Sequence, residues 1–254
     1  MAAWIPILTF HDLKDHASVI SYPPELFRRG VLKLHERGYQ TVSLLEVADC
    51  LRSTKPFPER AFAITFDDGY ESVYQEAFPV LQRYHMSATV FLAVGKERST
   101  EDKTRLPSLE GRPMLNWQEI REMHRFGIEF GAHTCTHPNL TRLSPKQIDS
   151  EMGDSKKIIA DGLSFPVRSF AYPYGRYNHH VLEMARSYFV CACSDRLGLV
   201  AVGKDPYTLK RVDAYYLRSE KLFDLMLTGL FPWYIRTLSI PRGIRRLIQN
   251  RLRW

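Results

Sequence analysis

The stretch Ala61-Phe-Ala-Ile-Thr-Phe-Asp67-Asp68-Gly69-Tyr70 joins an apolar run directly to two adjacent carboxylates. Five apolar residues and one threonine predict a strand that is covered on both faces, as in a parallel sheet. Burying two acids at the end of such a strand is costly unless a cation or a proton compensates their charge. The stretch therefore predicts a functional site at the carboxyl end of a core strand.

A second polar group lies further along the chain, in Gly131-Ala-His133-Thr-Cys-Thr-His137-Pro138. The proline after His137 disfavours a helix, so we expect this pair of histidines on a strand-to-turn segment. Because the carboxyl ends of parallel strands lie on one face of a sheet or barrel, the acids and the histidines should meet there. Two imidazoles and one carboxylate leave a coordination position free, as in catalytic zinc sites. The other acid could then take a proton from water, and adjacency alone does not say which acid does so.

Strand and helix patterns alternate along the chain. Apolar runs predict buried strands at Trp4–Phe10, Ala61–Phe66, Ala88–Val94, Gly127–Ala132, Val167–Tyr172, Tyr188–Cys193 and Leu209–Val212. Helical patterns occur at Pro24–Arg37, Ser43–Arg52, Glu71–Tyr84, Trp117–Phe126, Pro145–Ala160, His179–Ser187 and Glu220–Thr228. This alternation predicts parallel βαβ units and an α/β barrel.

Two connections carry further expectations. Asp161-Gly162 is expected to end the helix that begins at Pro145. The long segment from Gly95 to Asn116 follows a strand, so it should emerge beside the acids. It is either a lid or substrate rim, or a disordered insertion.

Length and composition are those of one folded domain. The chain has 254 residues, of which 44% are hydrophobic and 25% charged, which suits a single α/β barrel. It contains no run of the roughly 20 apolar residues that a membrane-spanning helix needs. The amino terminus lacks the features of a signal peptide, and the four cysteines show no disulfide pattern. We therefore expect a cytoplasmic protein.

The basic charge is concentrated in a C-terminal tail, residues 229–254. This tail has six arginines and no acid, so only +1 of the net charge of +7 remains for residues 1–228. Its apolar residues recur at helical spacing, at Ile244, Leu247, Ile248 and Leu252. Such a basic amphipathic helix is typical of contact with an anionic membrane, here at the inner face; a helix packed on the barrel is the alternative. The near-neutral body argues against nucleic-acid binding.

Three segments resemble the successive motifs of the polysaccharide deacetylases, the NodB-homology family or carbohydrate esterase family four. They are Thr65-Phe-Asp-Asp-Gly-Tyr70, His133-Thr-Cys-Thr-His137 and Phe170-Ala-Tyr-Pro-Tyr-Gly175. The resemblance runs from about Ile5 to Val212. It implies a distorted (β/α)7-type barrel in residues 1–228, which removes acetyl groups from sugars with a divalent metal ion. Histidine and carboxylate ligands favour zinc, and cobalt, nickel, manganese or iron would also bind.

The resemblance also implies a role for each motif residue. Asp67 resembles the general base of the family, and Asp68 resembles its metal carboxylate. His133 and His137 resemble the two metal-binding histidines. Tyr174 resembles the residue whose backbone N–H helps to hold the oxyanion.

The chain departs from the family pattern at two places. Many members have an arginine where this chain has Tyr172, and that arginine orients the base. Arg211 is the expected replacement, with a plain surface arginine as the alternative. Many members also use a late histidine as general acid, yet none follows His180 here. The opening segment 7–12 resembles the exopolysaccharide, or poly-N-acetylglucosamine, deacetylase branch, in which an early histidine takes that place, so we expect His11 to be the acid.

Together these features predict a metal-dependent hydrolase that removes acetyl groups from N-acetylated sugars of a polysaccharide or a lipid-linked glycan, in exopolysaccharide synthesis. One alternative is a related amidohydrolase acting on a small non-sugar C–N bond, because one fold hosts many chemistries. That alternative predicts a closed pocket at the metal instead of an open groove. Another is a catalytically silent glycan-binding or assembly protein, which the missing late histidine favours.

Overall fold

Strands and helices alternate along residues 1–16, 18–95, 104–109 and 111–239, which the computed structural model describes. The strands are β1 Trp4–Ile5, β2 Ile7–Phe10, β3 Gln40–Thr41, β4 Ala61–Phe66, β5 Thr89–Leu92, β6 Glu129–Ala132, β7 Ser169–Ala171, β8 Cys191–Leu197, β9 Val200–Ala201 and β10 Leu209–Asp213. The α-helices are α1 Pro24–Glu36, α2 Leu44–Arg52, α3 Phe78–Arg83, α4 Trp117–Arg125, α5 Pro145–Leu163, α6 His179–Tyr188 and α7 Glu220–Leu225.

Seven parallel strands close into a barrel. They pair in the order β2, β4, β5, β6, β7, β8 and β10, and β10 pairs in turn with β2. Two short additions stand beside this ring: β3 pairs with β4, and β1 pairs antiparallel with β9. The predicted α/β barrel of the distorted (β/α)7 type is confirmed.

The alternation of side chains along each strand decides what fills the barrel. In β10, Leu209 packs in an apolar cluster with Phe91 and Cys193 from two other barrel strands. Arg211, two residues further along, shares the face of Leu209, whereas Val212 packs in a separate cluster that includes residues of α1 and α5. The interior is therefore apolar around Leu209 and becomes polar at Arg211, nearer the carboxyl ends of the strands, where the candidate site lies.

Of the predicted strands, only Ala61–Phe66 has the predicted bounds; most of the others differ by one or two residues at an end, and two differ in kind. The first run is divided at Pro6, which has no N–H to donate, so Trp4–Ile5 pairs with β9 and only Ile7–Phe10 enters the barrel. The run expected to start a strand at Tyr188 instead continues helix α6 through Tyr188, and β8 begins at Cys191. A short apolar run fits either a buried strand or the end of a buried helix, and helix packing decided here.

The predicted helices also differ at their ends, most of them by one residue; the helix predicted over Glu220–Thr228 ends at Leu225, and two others differ for a physical reason. The helix expected over Glu71–Tyr84 is a π-helical turn, Val73–Ala77, followed by α3. Pro79 cannot donate a hydrogen bond, so a regular α-helical ladder cannot run through this segment. Helix α5 does not stop at Asp161-Gly162 but runs to Leu163, and Ser164 ends it with φ of 52°. Gly162 serves packing instead, because a Cβ there would lie 2.3 Å from the Trp117 ring.

The first part of the C-terminal tail packs against the barrel. Residues 231–239 are helical, and Phe231 and Ile235 are buried, while Leu230 and Trp233 are exposed. The predicted amphipathic helix at residues 244–254 lies outside the described residues. Among the described residues, no helix combines the length and the apolar character needed to cross a bilayer.

Candidate metal centre and catalytic cleft

The chain turns sharply after β4, so the side chains of Asp67 and Asp68 point in different directions. The N–H of Asp67 donates to the Phe10 carbonyl at 3.0 Å, which continues the ladder between β4 and β2 by one residue. Asp68 then adopts a left-handed conformation, with φ of 74°, and Gly69 follows with φ of 87°. Aspartate tolerates this region better than most residues. Both carboxylates are buried, and both line one cleft.

Asp68, His133 and His137 form a three-donor cluster, as the motifs predicted. Oδ1 of Asp68 lies 3.5 Å from the Nε2 atom of each histidine, and the two Nε2 atoms are 3.2 Å apart. Four-coordinate zinc binds such donors at about 2.0–2.2 Å, which places neighbouring donors about 3.3–3.6 Å apart in a tetrahedron. The observed separations are close to these values.

A buried atom without a partner supports the same interpretation. Oδ1 of Asp68 is buried and accepts no hydrogen bond from the described residues. A carboxylate oxygen in that position costs free energy unless a cation meets it. The donor set, its spacing and this unpaired oxygen therefore fit a divalent metal ion.

The surroundings of both histidines favour metal binding through Nε2. Nδ1 of His133 lies 2.7 Å from the Ala171 carbonyl, so it carries the proton and leaves the Nε2 lone pair free. Burial, together with the nearby His133, lowers the pKa of His137 to about 4, although the charges of Asp68 and Asp67 act in the opposite direction. The neutral imidazole, which is the form that binds metals, is thus favoured at His137.

Arg211 holds Asp67 from inside the barrel. Its two terminal nitrogens donate to the two carboxylate oxygens at 2.6 and 2.7 Å, and its Nε donates to the Ser194 carbonyl at 2.9 Å. Only 3% of Arg211 is exposed, so the surface-arginine alternative is wrong. Burial alone would raise the pKa of Asp67, but the charge and hydrogen bonds of Arg211 outweigh it and hold that pKa well below its usual range. Tyr172, at the family's arginine position, is buried and donates its hydroxyl to the Tyr207 carbonyl at 3.1 Å.

His11 and Tyr174 lie on the walls of the same cleft. Nε2 of His11 is 3.8 Å from Oδ2 of Asp67, and its side chain is partly exposed. Tyr174 follows β7 in a short turn with φ of 57°, and its ring packs edge-on against His137, with 4.7 Å between the ring centroids. The structure thus brings all seven predicted site residues to one cleft of about 320 Å³.

The described part of the connection between Gly95 and Asn116 lies beside the acids. The N–H of Leu115 donates to the Gly69 carbonyl at 2.9 Å, and Leu109 lines the cleft. Arg112 pairs with the buried Asp12 at 2.6 Å, which ties this segment to the chain that follows His11. This is the position expected of a substrate rim. Residues 96–103 and 110 lie outside the described residues.

Sequence reasoning missed two further acids of the cleft, Asp195 and Asp213. Alternation would have indicated both, because Asp195 follows Cys191 and Cys193 on one face of β8, and Asp213 follows Arg211 on β10. The sequence pattern had placed the end of each strand before these acids, at Cys193 and at Val212, whereas the strands run to Leu197 and Asp213. The buried Glu151, which contacts the loop between the two histidines, carried no local signal in the sequence.

Known proteins resemble this chain in sequence. The polysaccharide deacetylase family model matches residues 54–190. The putative polysaccharide deacetylase YxkH of Bacillus subtilis is 34% identical over 211 residues, which are 83% of this chain and 71% of that protein. The poly-beta-1,6-N-acetyl-D-glucosamine N-deacetylase of Escherichia coli K12 is 32% identical over 135 residues, half of this chain but only 20% of that protein.

Solved structures resemble it in fold. The Streptococcus pyogenes deacetylase PplD, solved in complex with acetate, has a TM-score of 0.74 and 27% identity, over 84% of this chain and 93% of that one. IcaB from Ammonifex degensii has a TM-score of 0.75 over 89% of this chain and 96% of that one; at 22% identity it supports the fold alone. The family match covers more than half of the sequence and includes the carboxylate pair and both histidines. The chain therefore belongs to the polysaccharide deacetylase family of enzymes.

Proposed function

We propose that this protein hydrolyses the acetamide group of N-acetylated sugars in a polysaccharide or a lipid-linked glycan, with a divalent metal ion at Asp68, His133 and His137. The observation that carries the proposal is the convergence of this triad with a second carboxylate, Asp67, in one cleft. Relatives named as N-deacetylases of poly-N-acetylglucosamine support the substrate class. Zinc is the proposed ion, because two imidazoles and one carboxylate are typical zinc ligands.

Asp67 is the proposed general base. Arg211 keeps its carboxylate ionised and fixes its direction, and it also makes Asp67 a weak base. A divalent ion held by the triad would polarise the acetyl carbonyl and acidify the attacking water, which is what so weak a base requires. Asp67 then removes the proton from that water as the water attacks the carbonyl carbon.

Tyr174 and His11 are proposed to stabilise the oxyanion and to protonate the leaving nitrogen, respectively. The backbone N–H of Tyr174 is the proposed donor to the oxyanion, an interaction worth about 3–4 kcal/mol where it has been measured in other enzymes. His11 is the proposed general acid: it donates a proton to the leaving nitrogen, so that the C–N bond breaks to give acetate and a free amino sugar. Its place beside Asp67, with part of its side chain exposed, suits a group that exchanges protons with solvent.

The shape of the cleft favours a glycan over a small amide. Tyr174, on the cleft wall, is 56% exposed, and the side chain of His11 is also reached by solvent. A site for a small non-sugar amide is expected to be closed, as most pockets for small ligands are. The presence of His11 in the cleft also weakens the case for a silent glycan-binding protein, since it supplies a candidate acid in place of the missing late histidine.

The decisive test is acetate release from the purified protein. We expect release from N-acetylglucosamine oligomers to exceed release from small acetamides, and to stop when a chelator is added. No acetate from any acetylated glycan, with zinc present, would contradict the proposal and favour a binding role. Faster hydrolysis of small amides would favour the amidohydrolase.

Replacing His11 with alanine is expected to lower turnover by about 10²- to 10⁴-fold, because one general acid contributes that much. Metal content should stay near that of the wild type, since His11 is not among the three donors. His180→Ala removes an exposed histidine on α6 and is the matched control, with turnover close to wild type. Both rates are measured as acetate release; an unchanged rate in His11→Ala would remove His11 from the mechanism.

We also propose that the C-terminal tail contacts an anionic membrane at its cytoplasmic face. Six arginines without an acid, and the exposed Leu230 and Trp233, support this contact. A chain ending at Ser239 keeps the buried Phe231 and Ile235 but loses five of the arginines. We expect the full chain to sediment with phosphatidylglycerol vesicles, less so at high salt, and the shortened chain to stay in solution. Equal sedimentation of the two chains would contradict the proposal.

A further inference from the structure

Glu151, on α5, is a buried acid that reaches the loop between the two metal-binding histidines. Only 2% of it is exposed. One carboxylate oxygen accepts from the N–H groups of Cys135 and Thr136, each at 2.9 Å, and the other accepts from the Thr136 hydroxyl at 2.8 Å. The middle of the loop is therefore tied to a long helix by three hydrogen bonds.

This loop has a backbone that needs external support. Thr134 has φ of 70° and His137 has φ of 53°. A left-handed conformation is unusual for a branched residue such as threonine, and it persists only where the surrounding structure holds it. One internal bond, from the His137 N–H to the Thr134 hydroxyl at 3.0 Å, closes the loop on itself. The bonds to Glu151 join that closed loop to α5, and the N–H groups of Val94 and Gly95 also hold it, donating to the Thr134 and Cys135 carbonyls at 3.3 and 2.8 Å.

The two histidines are held in different ways. His133 directly follows β6, its N–H donates to the Leu92 carbonyl at 2.9 Å, and its ring is fixed by the Ala171 carbonyl. His137 lies beyond the loop, so its position depends on the conformation of the loop. The 3.2 Å separation of the two Nε2 atoms therefore depends on what anchors the loop.

We propose that Glu151 is a positioning residue of the metal centre, which acts through the loop to place His137 and thereby sets the metal affinity. This inference rests on the proposed metal-dependent function. Groups behind the direct ligands commonly change metal affinity by about 10- to 100-fold. We expect the length of the Glu151 side chain and its hydrogen-bond acceptors to matter more than its charge, because its two carboxylate oxygens accept hydrogen bonds from three donors of the loop.

Two conservative variants separate reach from charge. Glu151→Gln keeps the length of the side chain; its carbonyl oxygen can accept both backbone N–H groups, while its NH₂ group donates to the Thr136 hydroxyl. Glu151→Asp keeps the charge but shortens the side chain by one methylene, so its carboxylate no longer reaches the loop. If Glu151 positions His137, the glutamine variant should bind metal better than the aspartate variant.

The test is zinc affinity of the metal-free protein, measured by competition with a chromophoric chelator, with cobalt(II) absorption as a report on ligand geometry. We expect Glu151→Gln to bind within a few-fold of the wild type. Glu151→Asp should bind about 10- to 100-fold more weakly, with an altered cobalt spectrum. Ile159→Ala is the control: Ile159 is fully buried on the same helix but outside the loop contacts, so this variant should lower the Tm of the metal-free protein and keep the zinc affinity.

Three outcomes would overturn the inference. Equal affinity of Glu151→Asp and wild type would show that the reach of the carboxylate is not needed. Weaker zinc binding by Glu151→Gln than by Glu151→Asp would show that the charge of Glu151, and not the position it gives the loop, sets the affinity. An equal loss of affinity in Ile159→Ala would reduce Glu151 to a contributor to helix stability. Failure of the wild type to bind zinc or cobalt would contradict the proposed function instead, so the two failures are distinguishable.

Discussion

Replacing Asp67 with asparagine is expected to reduce turnover by about 10²- to 10⁴-fold, because an amide cannot take the proton from the attacking water. Metal binding should stay close to that of the wild type, since the triad uses Asp68 and not Asp67. Acetate release measures the turnover, and metal content per chain measures the binding. Turnover near wild type would contradict the assignment of Asp67 as the base.

The same substitution has a second expected effect, on stability. Asp67 is the partner of a buried guanidinium, so Asp67→Asn leaves the charge of Arg211 without compensation. Removing one partner of a buried ion pair costs about 3–5 kcal/mol. A loss of activity in this variant could therefore be confused with a loss of fold.

A double variant separates the two effects. Asp67→Asn combined with Arg211→Met removes both charges, so we expect the unfolding free energy to recover most of what the single variant loses. Activity should stay as low as in Asp67→Asn, because the base is still absent. Unfolding in denaturant measures the stability of each form. Recovery of activity together with stability would mean that Asp67 serves the fold and not the reaction.

Removing the metal ion is expected to abolish acetate release. Treatment with a chelator should also lower the Tm, because a ligand that binds only the native state stabilises it, by an amount that grows with the logarithm of its concentration relative to its Kd. Added zinc should restore both activity and Tm. Full activity after exhaustive chelation, with metal content verified as nil, would contradict the proposed chemistry.

Asp68→Asn gives the matched variant for this experiment. Because Oδ1 of Asp68 has no hydrogen-bond partner among the described residues, losing its charge should not destabilise the metal-free protein. The variant should lose the increase in Tm that zinc confers on the wild type. If zinc stabilises both proteins equally, the ion binds at another place.

The local pattern of the sequence predicted the barrel well. Strand β4 has the bounds that its continuous apolar run indicated, Ala61–Phe66, because such a run between turn residues suits a buried parallel strand. Strand ends were less accurate, as at Tyr188, because an apolar run does not say whether it packs as a helix or as a strand. Because the predicted ends of β8 and β10 lay before Asp195 and Asp213, the sequence analysis did not identify these two acids as part of the site.

The sequence by itself determined which residues could bind a metal and accept a proton, because Asp67 and Asp68, and then His133 and His137, occur in short segments whose spacing carries the chemistry. The tertiary structure alone decided that Arg211 faces Asp67 and that Glu151 anchors the loop. The physical reason is that these contacts join residues distant in the chain. They exist only because β10 closes the barrel against β2, and because α5 packs beside β6.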